Sequence, residues 1–113
     1  MEIFPFPNEA GRKVTQYESS FFVSPILKTS SPVQIGHVQL AENGVIGYHQ
    51  ATMPQMLIVL KGIAAVRGKE DKYVTIQQGY AVFWELEEWH ETVSEHGLTA
   101  IIVEGKDVKP LTI

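Results

Sequence analysis

Residues 44–62 read GVIGYHQATMPQMLIVLKG, and residues 79–94 read GYAVFWELEEWHETVS. Glycine opens each block, and the runs inside are β-branched, aliphatic and aromatic, the composition of strands rather than helices. Strands are expected over residues 45–49, 55–61, 80–84 and 90–94. A strand sends side chains i and i+2 to the same face, and neighbouring strands lie about 4.8 Å apart. Side chains from different strands can therefore converge inside such a fold.

Outward from these blocks, further strands are expected over residues 21–27, 33–40, 63–67, 73–77 and 98–103. Asn43-Gly44 has the positive-φ tolerance of a tight type I′ turn and reads as a hairpin. Gly68-Lys69-Glu70-Asp71 and Gln78-Gly79 read as turns, and Pro25, Pro32 and Pro54 fall at or beyond strand ends, where a missing N–H is tolerated. No stretch carries a helical period. The expectation is one all-β domain over residues 1–113, with its core at roughly residues 30–105.

Residues 56–60 and 98–103 are apolar on both faces of their strands, so both faces need cover. One face can line the interior. The other needs a further segment or a second copy of the chain, and a homodimer is expected on that ground.

The chain has 113 residues, 44% hydrophobic and 19% charged, the balance of an ordinary folded domain. It has no cysteine, so thiolate chemistry and sulfur-ligated metals are excluded, and any metal must sit on nitrogen and oxygen. The net charge of −4 disfavours a nucleic-acid partner. Between Lys72 and Lys106 there is no Lys or Arg, while Glu85, Glu87, Glu88, Glu91, Glu95 and Glu104 fall there, a field that favours cations. No apolar run approaches the roughly 20 residues of a membrane span, and the first residues lack the build of a signal peptide, so a cytoplasmic location is expected.

The two blocks resemble the paired motifs of the cupin superfamily, G-x5-H-x-H-x3-4-E-x6-G and G-x5-P-x-G-x2-H-x3-N. His49 matches the first histidine, Gln55 stands at the glutamate, Gly62 closes the first motif, Gly79 opens the second and His90 matches its histidine. Ala51 replaces the second histidine, Glu85 and Glu87 replace the proline and glycine, and Ser94 replaces the asparagine. Gly44 is one residue closer to His49 than the pattern asks.

The resemblance implies a single small cupin-type β-barrel, of jelly-roll or double-stranded β-helix build, with a degenerate metal site. On that reading His49, Gln55 and His90 are candidate ligands of a divalent metal, with Glu85, Glu87 or Glu88 as further sources of negative charge. His37, Tyr48, Arg67 and Trp84 are candidate pocket residues, while His96 lies in an exposed turn. Three functions stay open. A weakly held metal could support oxygenase, isomerase or lyase chemistry on a small molecule; the barrel could bind a ligand without metal; or the interior could be filled by its own aromatics. The bland reading is two uncharged core histidines, a hydrogen-bonded amide and a solvated acidic loop.

Overall fold

The computed structural model describes residues 1–7 and 11–111. Ten strands run in chain order as β1 Glu2–Pro5, β2 Arg12–Val14, β3 Phe21–Val23, β4 Gln34–Leu40, β5 Gly44–Gln50, β6 Gln55–Arg67, β7 Val74–Gln77, β8 Tyr80–Trp84, β9 Trp89–Ser94 and β10 Leu98–Glu104. The one helical element among the described residues is a single 3-10 turn, Gln16–Glu18. The fold is all-β, as the composition and turn spacing indicate.

The architecture turns on β6. Its first half pairs with β8 and β10, while its second half pairs with β7 and β9. One sheet thus runs β1-β8-β6-β10-β4, and the second joins β7, β6, β9 and β5. The sequence reads as two strands broken at Gly62; the structure has one strand of 13 residues bent there. The bend lies beside a register shift opposite Thr99 and Ala100. Gly62 sits at φ +96, and a Cβ on it would meet the Gly97 carbonyl oxygen at 2.5 Å, so only glycine fits. Strand pairing does not run round into a closed ring among the described residues; the two sheets share β6 and enclose the core between them.

That core takes Leu57, Val59, Val82, Trp84, Leu98 and Ala100 from the first sheet and Ala64, Val66 and Ile76 from the second. The opposite face of the first sheet carries Phe4, Met56, Ile58, Ala81, Phe83 and Val103, and is covered by Phe6, Ile26, Leu27 and Val108 of the same chain. The second apolar face expected from residues 56–60 and 98–103 finds cover within the chain at Met56, Ile58 and Val103, while Ile101 is half-buried and Leu60 is exposed.

Two local expectations are corrected. Asn43-Gly44 does not close a hairpin, because β4 pairs with β10 and β5 with β9. The Gly44 N–H donates to the Ala41 carbonyl at 2.8 Å, and among these residues only Asn43 takes a positive φ, 59°. One positive φ at the third turn position carries the chain from one sheet to the other instead of folding it back. The strand expected over residues 21–27 stops at Val23, before Pro25. The short β1 and β2 have too few residues to show a period, and the sequence reading passes over them.

Candidate functional site

His90 lies in β9, where His90, Thr92 and Ser94 are buried and alternate with partly exposed neighbours. This is the period of a strand whose one face looks into the core. On β5, Ile46 pairs with Thr92 and His49 with His90, with a register shift between the two pairs. Gly47 and Tyr48 on β5 thus oppose the single residue Glu91 on β9, the arrangement of a β-bulge. The bulge has a direct consequence for the site. From Gly44, opposite the inward Ser94, to His49 is an odd step that would turn His49 outward in a regular strand. The extra residue at Gly47-Tyr48 restores it to the side of His90, which reconciles the short glycine–histidine spacing with an inward histidine.

The two imidazoles meet with ring centroids 4.4 Å apart. His49 is exposed, whereas His90 is 1% exposed, so the pair runs from the surface into the interior. His49 Nδ1 lies 2.7 Å from the Gly47 carbonyl oxygen. A carbonyl can only accept, so Nδ1 carries the hydrogen and Nε2 keeps its lone pair free, the tautomer that suits a ligating histidine. Neither ring nitrogen of His90 has a hydrogen-bond partner. Burial pushes its pKa down from 6.5 to about 4, nearby His49 adds to the shift, and the charge of Glu88 opposes it. His90 is therefore neutral at pH 7.

Trp84 is also buried and stacks on His90 at 4.1 Å with 21° between the ring planes. Its indole N–H has no partner, and neither does the hydroxyl of buried Thr92. Gln55 is buried and pairs with Trp84 in register, on the face that also carries Leu57 and Val59. Buried polar atoms are hydrogen-bonded in the great majority of cases, and each orphan costs about 1–3 kcal/mol. Four such atoms on His90, Trp84 and Thr92 mark this interior as a place where something polar belongs.

Of the acidic candidates, Glu88 acts on His90 through its charge. Glu85 and Glu87 are exposed, and Glu88 accepts the Glu85 backbone N–H at 3.0 Å and faces the amino group of Met1. No group of three or more His, Asp or Glu side chains converges for a metal among the described residues. Ala51, at the second histidine's position, is buried, and its backbone exchanges hydrogen bonds with Glu87 and Glu88 at 2.9 Å. Glu87, where the motif has glycine, sits at φ +69. The backbone keeps the left-handed turn that the glycine would serve. Ser94, in place of the asparagine, donates to the Ile63 carbonyl at 2.7 Å and accepts from the Gly97 N–H at 3.0 Å, a structural role at the sheet bend.

Three pocket candidates fall outside. His37 shares the face of Ile35 and Gln39, and that face is the outer one: the inward residues of β4 are Val38 and Leu40. Tyr48 stacks on Trp89 at 5.2 Å, and the Arg67 guanidinium lies 4.2 Å over Tyr48. Arg67 also donates to Glu91 at 2.9 Å, and the Tyr73 hydroxyl donates to the same carboxylate oxygen. These hydrogen bonds hold the Glu91 carboxyl below its ordinary range. Arg67, Tyr48 and Tyr73 thus form a cluster on the outer face of the second sheet, and Arg67 is committed to Glu91. Alternation along 63–67 and 89–94 carried this outcome, since Val66 and Thr92 are inward. Thr92 is the site residue the sequence reading missed; it stands two positions from His90 on a period-2 strand, and that was its one signal.

No family model matches the chain, and no curated protein matches it. Solved structures do. A cupin superfamily protein from Desulfitobacterium hafniense superimposes with a TM-score of 0.62 at 12% identity, covering 95% of this chain and 100% of that one. An RmlC-like cupin from Shewanella frigidimarina gives 0.60 at 15% identity over 70% of each chain. A predicted oxalate decarboxylase from Thermotoga maritima gives 0.55 at 19% identity, covering 61% of this chain and 62% of that one. Two sheets joined through a bent central strand, glycine at the bend and these superpositions together give the chain the fold of the cupins.

Proposed function

We propose that the chain binds a small molecule at the inner face of the fold beside His49 and His90, and that the two imidazoles hold a divalent cation weakly as part of that site. The observation that carries this reading is His90: buried, neutral and without a partner on either nitrogen, it faces a second histidine whose Nε2 is free.

The donor set fits a cation in part. The two imidazoles, with ring centroids 4.4 Å apart, are near enough for one cation to be shared between them. His49 through Nε2 and His90 through one ring nitrogen would hold the ion, with the Gln55 amide oxygen as a neutral third donor. A cation so held would act as a Lewis acid on a ligand oxygen. No carboxylate joins the pair, so the chain itself leaves the ion's charge uncompensated, and binding without an anionic ligand is weak. Trp84 and Thr92 bear on the ligand: an indole N–H can only donate, so it selects a molecule that presents an acceptor to this wall.

A metal-free ligand-binding site is the second reading, favoured by that same indole N–H, which no cation can satisfy. Calorimetric titration with zinc or nickel separates the two. The first reading expects weak binding to the parent that His49→Ala and His90→Ala each abolish, and that weakens as pH falls and protons compete for the imidazoles. Unchanged heats in both variants, or none in the parent, leave the metal-free site.

A further inference from the structure

The outer side of the first sheet carries a cavity remote from the His49–His90 pair. Phe83 stands next to Trp84 on β8, and neighbours on a strand point to opposite faces. Trp84 stacks on His90 inside the core, whereas Phe83 clusters with Met56, Ile58 and Val108 on the other side of the sheet. Phe83 and Val108, with Pro54, form the apolar part of the cavity lining, and the volume is about 510 Å³. That is the size of a small-molecule site. An inorganic ion, a few water volumes of about 30 Å³ each, leaves most of it empty.

The rest of the lining comes from residues 28–30 and 106–109, with Glu85. Both segments are held by hydrogen bonds. The Ser31 N–H donates to Thr29 Oγ1 at 3.1 Å and the Val108 N–H to the Gly105 carbonyl at 3.2 Å, while Ser31 Oγ donates to Asp107 and ties the two segments together. They gather Lys28, Lys106 and Lys109, three of the nine Lys and Arg residues in the chain. None of the three forms an ion pair among the described residues, and Asp107, the carboxylate between two of them in sequence, is bonded to Ser31 instead. Three lysines against Glu85 and Asp107 give the lining a net charge of +1, on a chain whose net charge is −4. Unpaired ammonium groups gathered at one cavity repel one another, and a bound anion relieves that repulsion.

We infer that this cavity is a second small-molecule site, for a soluble phosphate monoester with an apolar organic part. Lysine ammonium groups are compact charges with three donors each, which suit phosphate oxygens. A monocarboxylate carries one charge and neutralises less of the three. The Ser30 hydroxyl, without a partner among the described residues, adds a donor. Phe83, Val108 and Pro54 receive the organic part. Glu85 opposes the phosphate charge, so its removal strengthens binding. The site is independent of what the His49–His90 pair binds.

The test is a nuclear magnetic resonance titration of the full chain with phenyl phosphate, in buffer stripped of metal over a chelating resin. Binding in the millimolar range or tighter is expected, with shifts at the amides of residues 28–31 and 105–109. Lys106→Gln/Lys109→Gln, both exposed in the parent, should weaken binding about tenfold or more, the loss of at least one charged hydrogen bond. Glu85→Gln should tighten it. Inorganic phosphate, which lacks the apolar body, and benzoate, which lacks the second charge, should each bind more weakly than phenyl phosphate. If the lysine variant loses the far-ultraviolet spectrum of the parent, Glu85→Gln and the shift pattern decide the matter. The inference is overturned by a parent that shows no shifts at these amides, by a folded lysine variant of unchanged affinity, or by weaker binding to Glu85→Gln. Inorganic phosphate or benzoate binding as tightly as phenyl phosphate overturns it too.

Discussion

His90→Leu gives the sharpest view of the buried pair, because its effects on stability are opposite at neutral and acid pH to those of an ordinary core truncation. The His90 pKa falls from 6.5 to about 4 on folding. Below pH 6.5 the unfolded chain takes up a proton that the folded chain refuses until about pH 4, so the unfolded state binds more protons in this window and stability falls as pH falls through it. A difference of 2.5 units is worth at most about 3 kcal/mol at 1.36 kcal/mol per unit. At pH 7 His90 also leaves two ring nitrogens without partners, at about 1–3 kcal/mol each. Leucine of similar volume removes both penalties and loses the stacking on Trp84, for a net gain of about 1 kcal/mol or more at pH 7. Urea unfolding in a chelator, at intervals from pH 7.5 to 4, measures both quantities. The parent should lose stability down this range and the variant should lose much less. A parent with no slope between pH 6.5 and 4.5, or a variant that keeps the parent's slope, refutes the burial argument for His90.

Three further outcomes follow from the backbone and the outer cluster. Glu87→Gly should stabilise the fold by about 0.5–1 kcal/mol, since a left-handed residue with a Cβ costs about 1–2 kcal/mol and glycine's extra freedom when unfolded returns part of it; thermal melts of the two proteins check it, and a lower melting temperature for the glycine variant contradicts it. Gly62→Ala should cost about 3 kcal/mol, because it combines positive φ with a backbone oxygen at 2.5 Å, and a denaturation midpoint equal to the parent's counts against the bend described for β6. Glu91→Gln should lower stability at pH 7 and also remove part of the parent's acid-side loss below pH 4.5: the folded Glu91 carboxyl titrates below its ordinary value, so its contribution is present above that value and disappears as pH drops through the lower one. An unaltered acid limb in the variant speaks against the Arg67–Tyr73–Glu91 network.

How far the sequence could be read depended on the range of the interactions involved. The strand-like runs read at residues 33–40, 80–84 and 98–103 are local signals, and they place β4, β8 and β10 to within a residue. Partnership is not local. Asn43-Gly44 has hairpin chemistry, yet β4 pairs with β10 and β5 with β9, so the two strands belong to different sheets. The inward direction of His90 was legible from its glycine-framed block, whereas His49 depends on a bulge that no propensity marks. His37 shows the ambiguity of a strand with apolar residues on both faces: Val33, Ile35 and Gln39 share its side, and only the sheet topology makes that side the outer one. The acidic run 85–88 lies next to His90 in sequence, but Glu85 and Glu87 are exposed and Glu88 faces the Met1 amino group.

Anomalous diffraction from crystals soaked in zinc or nickel tests the metal-binding claim most directly. The account predicts a peak bonded to His49 Nε2 and to one His90 ring nitrogen at about 2.0–2.1 Å, with remaining density from solvent or ligand oxygen. Soaked crystals with no anomalous peak at this pair, or with one only on the exposed His96 or the glutamates at 85–88, contradict it.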